Sequence, residues 1–221
     1  MVQSSTQPVR PQPRTVALAR LFAEHPRSWR DFTYLYPVIS RRSRGLSIGI
    51  NVNLNQKCSF DCVYCSVDTT PVPAAEATKV NLDVLESELA QMLELVRSGE
   101  IWNDAALRDT PDKYRRLNDI AFSGDGEPTI YPKLDEAMAR VAAVKARHKL
   151  RDARIVLVTN TSGLERLPAR RRWRFWIVKK GRSGPSSMPV PKTITTVSTV
   201  RMCLSKPSCV ICSTAGWCVQ L

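Results

Sequence analysis

The chain has 221 residues, of which 43% are hydrophobic and 24% are charged, and its formal net charge is +13. This length predicts one domain, or at most two, with enough chain to bury a core. No apolar run approaches the roughly 20 residues that span a bilayer, and the N-terminus lacks the apolar stretch of a signal peptide. We therefore expect a cytoplasmic protein that has no membrane partner.

The positive charge is concentrated in the C-terminal quarter of the chain. Residues 1–165 contain 22 Lys and Arg and all 20 Asp and Glu, whereas residues 166–221 contain 11 basic residues and no acid. The larger part is therefore close to neutral, and the high net charge does not by itself indicate a surface that binds nucleic acid. The composition instead predicts a change of organisation near residue 167.

The first 40 residues are predicted to form an N-terminal extension. Residues 1–14 are rich in Gln, Pro and Ser, a composition typical of disorder. Residues 15–24 (TVALARLFAE) have the composition of a short helix.

The clearest predicted strand covers residues 46–54, where large apolar residues alternate with small or polar ones. The small residues on its second face predict that another surface packs closely against it. A long connection, 55–80, follows and contains three closely spaced cysteines. Connections of this length in compact domains are usually functional or disordered.

Helices and strands then alternate along the chain. Asn81 is a suitable N-cap for a helix that stops at Gly99, and the next strand, helix and strand are predicted at 119–123, 133–149 and 154–159. This alternation predicts an α/β fold with parallel strands joined by right-handed crossovers. Each strand leads at its carboxyl end into a polar or cysteine-containing loop, which is where βα folds gather their sites.

The loop after the first strand carries the sequence Cys58-Ser-Phe-Asp-Cys62-Val-Tyr-Cys65. Three thiolates can bind three corners of a soft metal centre and leave one position open. A structural zinc site needs a fourth ligand, and no further His or Cys lies nearby in the sequence. Cysteines at such short spacings seldom form a disulfide with each other, so the pattern predicts a metal centre.

The C-x3-C-x2-C spacing, with an aromatic residue before the last cysteine, resembles the signature of the radical S-adenosylmethionine (radical SAM) superfamily. A second segment, SGDGEPT at 123–129, resembles that family's GGEP motif. Gly126, Glu127 and Pro128 are in register with the motif, and Asp125 either replaces its first glycine or is inserted beside it.

The resemblance implies roles for individual residues. Cys58, Cys62 and Cys65 would bind three irons of a [4Fe–4S] cluster, and S-adenosyl-L-methionine would bind the fourth. The Glu127 carboxylate would pair with the ammonium group of that cofactor, and Tyr64 would pack against its adenine. The residues implied in binding S-adenosyl-L-methionine are Tyr64, Gly126, Glu127, Pro128 and Asn160.

The implied fold is a partial (βα) barrel with about three recognisable βα units. The implied function is that of an iron–sulfur oxidoreductase, which cleaves S-adenosyl-L-methionine reductively to a 5′-deoxyadenosyl radical that abstracts hydrogen from an unknown substrate. Flavodoxin or ferredoxin would donate the electron. The branch most similar in sequence contains tRNA wyosine-forming synthases and related Fe–S oxidoreductases, which suggests tRNA as substrate. The alternatives are a non-catalytic Fe–S or zinc-binding protein and an inactive, truncated remnant.

The predicted core, 41–167, is followed by a basic, irregular tail, 168–221, with four cysteines. Three interpretations of the tail are open: an auxiliary Fe–S or zinc site, a basic arm that binds nucleic acid, or out-of-frame sequence. The missing acids and the lack of periodicity favour the last of these. The tail would then not be a native domain, and the radical SAM core would be C-terminally truncated or frame-disrupted.

Overall fold

A computed structural model describes residues 29–62, 65, 67, 79–164, 174–179, 197–202, 210–212 and 218–220, the last four ranges by their backbone. The predictions made for residues 1–24 and for Tyr64 lie outside the described residues.

The first half of the sheet contains four strands, and two helices connect its parallel strands. Its strands are β1 (Leu35–Ser40), β2 (Gly45–Ile50), β3 (Leu117–Phe122) and β4 (Arg154–Thr159). Strand β1 is antiparallel to β2, whereas β2, β3 and β4 run parallel to one another. Helix α1 (Leu82–Ser98) connects β2 to β3, and α2 (Leu134–Arg147) connects β3 to β4. Short 3-10 turns lie at Glu100–Asn103, Asp112–Tyr114 and Pro128–Ile130. The prediction of a mixed α/β fold is confirmed.

The described residues after 173 form four more strands of the same sheet, whereas the sequence predicted an irregular tail there. They are β5 (Arg174–Lys179), which is parallel to β4, followed by the antiparallel strands β6 (Val197–Met202), β7 (Val210–Cys212) and β8 (Cys218–Gln220). Short runs such as RFWIVK are rich in β-branched and aromatic residues, which favour strands without a long alternation. The strand order is β1 to β8 in sequence, and no pairing of the described strands joins β8 to β1. Over the described strands, the sheet is open and does not close into a barrel.

Strand β1 is an element that the sequence pattern did not predict. Its sequence, LYPVIS, contains Pro37, which interrupts the usual strand signal because proline cannot donate a backbone hydrogen bond. The strand lies at the edge of the sheet, paired on one side with β2. A proline is tolerated at that edge because one side of the strand needs no donor.

Helix α1 has the ends that its sequence predicts. The Asn81 side chain accepts hydrogen bonds from the backbone N–H groups of Asp83 at 3.0 Å and Val84 at 3.3 Å. Gly99 ends the helix with φ at 81°, a left-handed conformation that glycine adopts without steric cost. Neither helix of the described chain is long and apolar enough to cross a membrane.

The core lies between the helices and β2–β4. All six residues of β2 are buried, and the leucines of α1 and the valines of α2 pack into the same cluster. On β2, Gly49 lies against the ring of Tyr36, where a Cβ atom would overlap the ring. The small residue at this position therefore leaves room for a side chain of the neighbouring strand β1.

Candidate functional site

The loops that follow β2, β3 and β4 meet at the carboxyl edge of the sheet. The amide of Asn51, just after β2, donates a hydrogen bond to Asp125 Oδ2 at 2.6 Å. The backbone N–H of Glu127 donates to the carbonyl of Lys57 at 3.1 Å. Gly126 lies so close to that carbonyl that a Cβ atom would overlap it. The glycine-rich turn after β3 is therefore packed directly on the loop after β2.

The carboxylate of Glu127 joins these loops to the end of β4. Its side chain is buried, with the residue 3% exposed. One oxygen accepts from the backbone N–H of Thr129 at 3.1 Å, from the Thr129 hydroxyl at 2.6 Å and from the Thr159 hydroxyl. The other oxygen accepts from the backbone N–H of Asn160 at 2.7 Å. Pro128, also buried, begins the 3-10 turn that positions Thr129.

A second set of hydrogen bonds covers the outside of this edge. The Asn160 amide donates to the Ser59 hydroxyl at 3.0 Å, and the hydroxyls of Ser59 and Ser162 lie 2.5 Å apart. The side-chain oxygen of Asn160 accepts from the backbone N–H of Ser162 at 3.0 Å. The Ser59–Asn160–Ser162 cluster therefore holds the start of the cysteine loop against the end of β4.

Cys58 precedes Ser59 of this cluster, and Cys62 and Cys65 follow on the same connection. Cys58 and Cys65 are exposed and Cys62 is partly buried, and all three are free thiols. Within the described residues, which include all three, no group of three or more His, Cys, Asp or Glu side chains could hold a metal ion. The arrangement of the described cysteines therefore does not fit the predicted metal centre.

Several polar residues of the edge were not singled out by the sequence pattern. Asn51 and Asn53 follow β2 directly, and both are buried. The side-chain oxygen of Asn53 is buried and has no hydrogen-bond partner in the described part of the chain. The sequence signal that could have identified them is the occurrence of two asparagines at the end of an apolar strand.

Of the residues predicted from the sequence, the structure brings together Gly126, Glu127, Pro128 and Asn160.

The fold and the edge geometry define an α/β protein with a polar platform at the carboxyl ends of three parallel strands. The chain is 29% identical over 126 residues to the GTPase Obg of Brachyspira hyodysenteriae (strain ATCC 49526 / WA1). This match covers 57% of the chain but 15% of the GTPase, so the chain corresponds to a small part of that protein. No protein-family model and no solved structure matches the chain.

These comparisons correct the assignment made from the short motifs. The prediction that the chain belongs to the radical SAM superfamily was wrong, because no family model matches and the similarity is instead to a GTPase. The predicted radical SAM activity and the alternative of an Fe–S or zinc-binding protein are contradicted as well, since the described cysteines form no group that could hold a metal ion. The Glu127 carboxylate, expected to bind an ammonium group, is occupied by neighbouring N–H and O–H donors. The cofactors and partners inferred from the resemblance stay predictions.

Proposed function

We propose that the chain binds a nucleotide at the carboxyl edge of β2, β3 and β4. The observation that carries this proposal is the joining of three loops around the buried carboxylate of Glu127. Ligands of open α/β sheets bind outside the carboxyl ends of the strands. The partial similarity to a protein named as a GTPase supports a nucleotide as the ligand.

The polar groups of the platform suit the nucleoside part of such a ligand. Asn160, Ser59 and Ser162 present neutral amide and hydroxyl groups, which can donate and accept hydrogen bonds to a base or a ribose. The buried oxygen of Asn53 is an acceptor that still lacks a donor, and buried polar atoms normally have one. Lys57, exposed on the same loop, supplies a positive charge for a phosphate group.

We propose binding rather than hydrolysis of the nucleotide. The 221 residues contain no G-x-x-x-x-G-K-[ST] sequence, the glycine-rich loop with which many nucleotide hydrolases cradle the phosphates. The glycine-rich turn SGDGEP instead packs on the carbonyl of Lys57. In this arrangement the platform holds a nucleoside, and the phosphates extend toward the exposed rim.

The test is a calorimetric titration of the full chain with GTP, ATP and guanosine. We expect saturable binding of GTP and weaker binding of guanosine, because Lys57 contacts only the phosphorylated ligand. Substitution Lys57→Ala should weaken GTP binding about fivefold, or ~1 kcal/mol, which is typical of an exposed charge contact. Guanosine binding should not change.

A matched control removes one positive charge from the opposite edge of the sheet. Arg151 is exposed and precedes β4, so it lies at the amino edge. Arg151→Ala should leave GTP binding unchanged. Equal losses in the two variants would identify a non-specific charge effect, and a flat titration for all three ligands would refute the proposal.

A further inference from the structure

Two of the three cysteines are joined by a backbone hydrogen bond. The N–H of Cys65 donates to the carbonyl of Cys62 at 2.8 Å. A hydrogen bond between residues i and i+3 is typical of a tight turn, in which the two end Cα atoms lie within about 7 Å of each other. Disulfides usually join cysteines whose Cα atoms are about 4.4–6.8 Å apart. The backbone therefore brings Cys62 and Cys65 into the range of a disulfide.

The surroundings of the three thiols separate Cys58 from this pair. Cys58 precedes Ser59, which hydrogen-bonds to Asn160 at 3.0 Å and to Ser162 at 2.5 Å. These contacts hold the Cys58 end of the loop against the end of β4. Of the pair, Cys65 is exposed and Cys62 is partly buried, so a reagent in solution reaches Cys65 more easily.

We propose that Cys62 and Cys65 form a reversible dithiol–disulfide pair whose oxidant is a small disulfide such as oxidised glutathione. This redox site is independent of the proposed nucleotide site. It also replaces the expectation that such closely spaced cysteines would act as metal ligands and would not pair. The C-x-x-C spacing beside a βα unit is a known setting for thiol redox chemistry.

The exchange proceeds in two steps. The Cys65 thiolate attacks one sulfur of oxidised glutathione, forms a mixed disulfide and releases one glutathione thiolate. The Cys62 thiolate then attacks the Cys65 sulfur, closes the Cys62–Cys65 bond and releases the second glutathione thiolate. The protein loses two electrons and two protons, and both glutathione molecules leave as thiols. An excess of a dithiol such as dithiothreitol reverses the reaction.

The sequence offers a direct way to identify the bond in the full chain. Cleavage on the amino side of aspartate releases the peptide DCVYCSV, 61–67, which contains Cys62 and Cys65 but not Cys58. The chain is equilibrated with oxidised glutathione, its free thiols are blocked with iodoacetamide, and it is then cleaved. The masses of the peptides are measured by mass spectrometry. We expect this peptide to become mainly the internally bonded form, two hydrogens lighter than the dithiol, and to revert with dithiothreitol.

Three single variants complete the test. Cys58→Ser should keep the internal bond, whereas Cys62→Ser should trap glutathione on Cys65. Cys65→Ser should carry less glutathione, because Cys62 is less accessible. Separate glutathione or iodoacetamide labels on both cysteines of the wild-type peptide would overturn the proposal. So would a dominant bond from either cysteine to Cys58 or to one of the four cysteines after residue 200.

Discussion

A buried carboxylate lies near each end of β3, Asp119 within the strand and Glu127 in the turn that follows it, and the two are stabilised in different ways. At the amino end, Asp119 pairs with the guanidinium of Arg42 at 2.9 Å and accepts a hydrogen bond from the Ser47 hydroxyl. At the carboxyl end, Glu127 is held by N–H and O–H groups and has no cationic partner within the described chain. The first carboxylate has a cationic partner, whereas the second is held by backbone N–H and hydroxyl groups.

This difference separates a structural site from a candidate functional one. The Asp119–Arg42 pair ties the β1–β2 turn to β3, and its charges cancel inside the protein. Glu127 instead organises three loops at the edge where ligands of α/β sheets bind. Because no cationic side chain of the described residues pairs with Glu127, we place the phosphates near Lys57 at the rim.

The largest expected loss of stability comes from breaking the Asp119–Arg42 pair. Asp119→Ala removes one partner and leaves the Arg42 guanidinium, 19% exposed, without its counter-charge. Breaking a buried ion pair from one side is strongly destabilising, and we expect a loss of about 3 kcal/mol in the free energy of unfolding, measured with urea. The control is Asp112→Ala, whose side chain is 98% exposed and which should cost less than about 0.5 kcal/mol. Equal effects of the two substitutions would contradict the role assigned to Asp119.

The next largest effect tests Glu127. Glu127→Gln replaces one carboxylate oxygen with an amide nitrogen, which cannot accept the hydrogen bonds that the replaced oxygen accepts now. Because buried donors then lose their acceptor, we expect the free energy of unfolding to fall by about 2 kcal/mol. The matched control is Glu136→Gln on the exposed face of α2, with an expected change below about 0.5 kcal/mol. An unchanged urea midpoint for Glu127→Gln would show that the carboxylate does not hold the loops together.

Local signals in the sequence were sufficient for β2–β4 and for both helices, but they did not predict β1 or the four strands β5–β8. The ends of α1 depend on Asn81 and Gly99, whose capping contacts are formed within a few residues. Strand β4 has a short apolar sequence between polar residues, and its predicted bounds match the structure. Strand β1 was missed because Pro37 weakens the local strand signal, and only its position at the edge of the sheet makes the proline acceptable.

The site was harder to predict because its contacts join distant parts of the chain. Glu127 binds donors at Thr159 and Asn160, more than 30 residues later, and no local pattern reports that pairing. The cysteine and glycine motifs were assigned to a family on a few residues each, and short motifs carry a high risk of chance matches. The residues Gly126, Glu127 and Asn160 were found, but the roles expected of them came from the resemblance.

The smallest effect concerns an exposed ion-pair network, which sharpens the contrast with the buried pair. Arg140 on α2 contacts Asp83 and Glu86 of α1, and Glu136 of its own helix. The hydrogen bond with Asp83 raises the pKa of Arg140 above its usual value, so the guanidinium stays charged. Arg140→Met should nevertheless lower the urea midpoint less than the two substitutions above, because water screens these contacts.

Salt distinguishes this network from the pair inside the protein. The effect of Arg140→Met on the urea midpoint should disappear in ~1 M salt, where charges are screened within a few ångströms. The effect of Asp119→Ala should persist there, because the Asp119 side chain is only 4% exposed and its partner is in direct contact. If both effects fell equally with salt, the Asp119–Arg42 pair would behave as a surface contact, and the distinction drawn between the two ends of β3 would not hold.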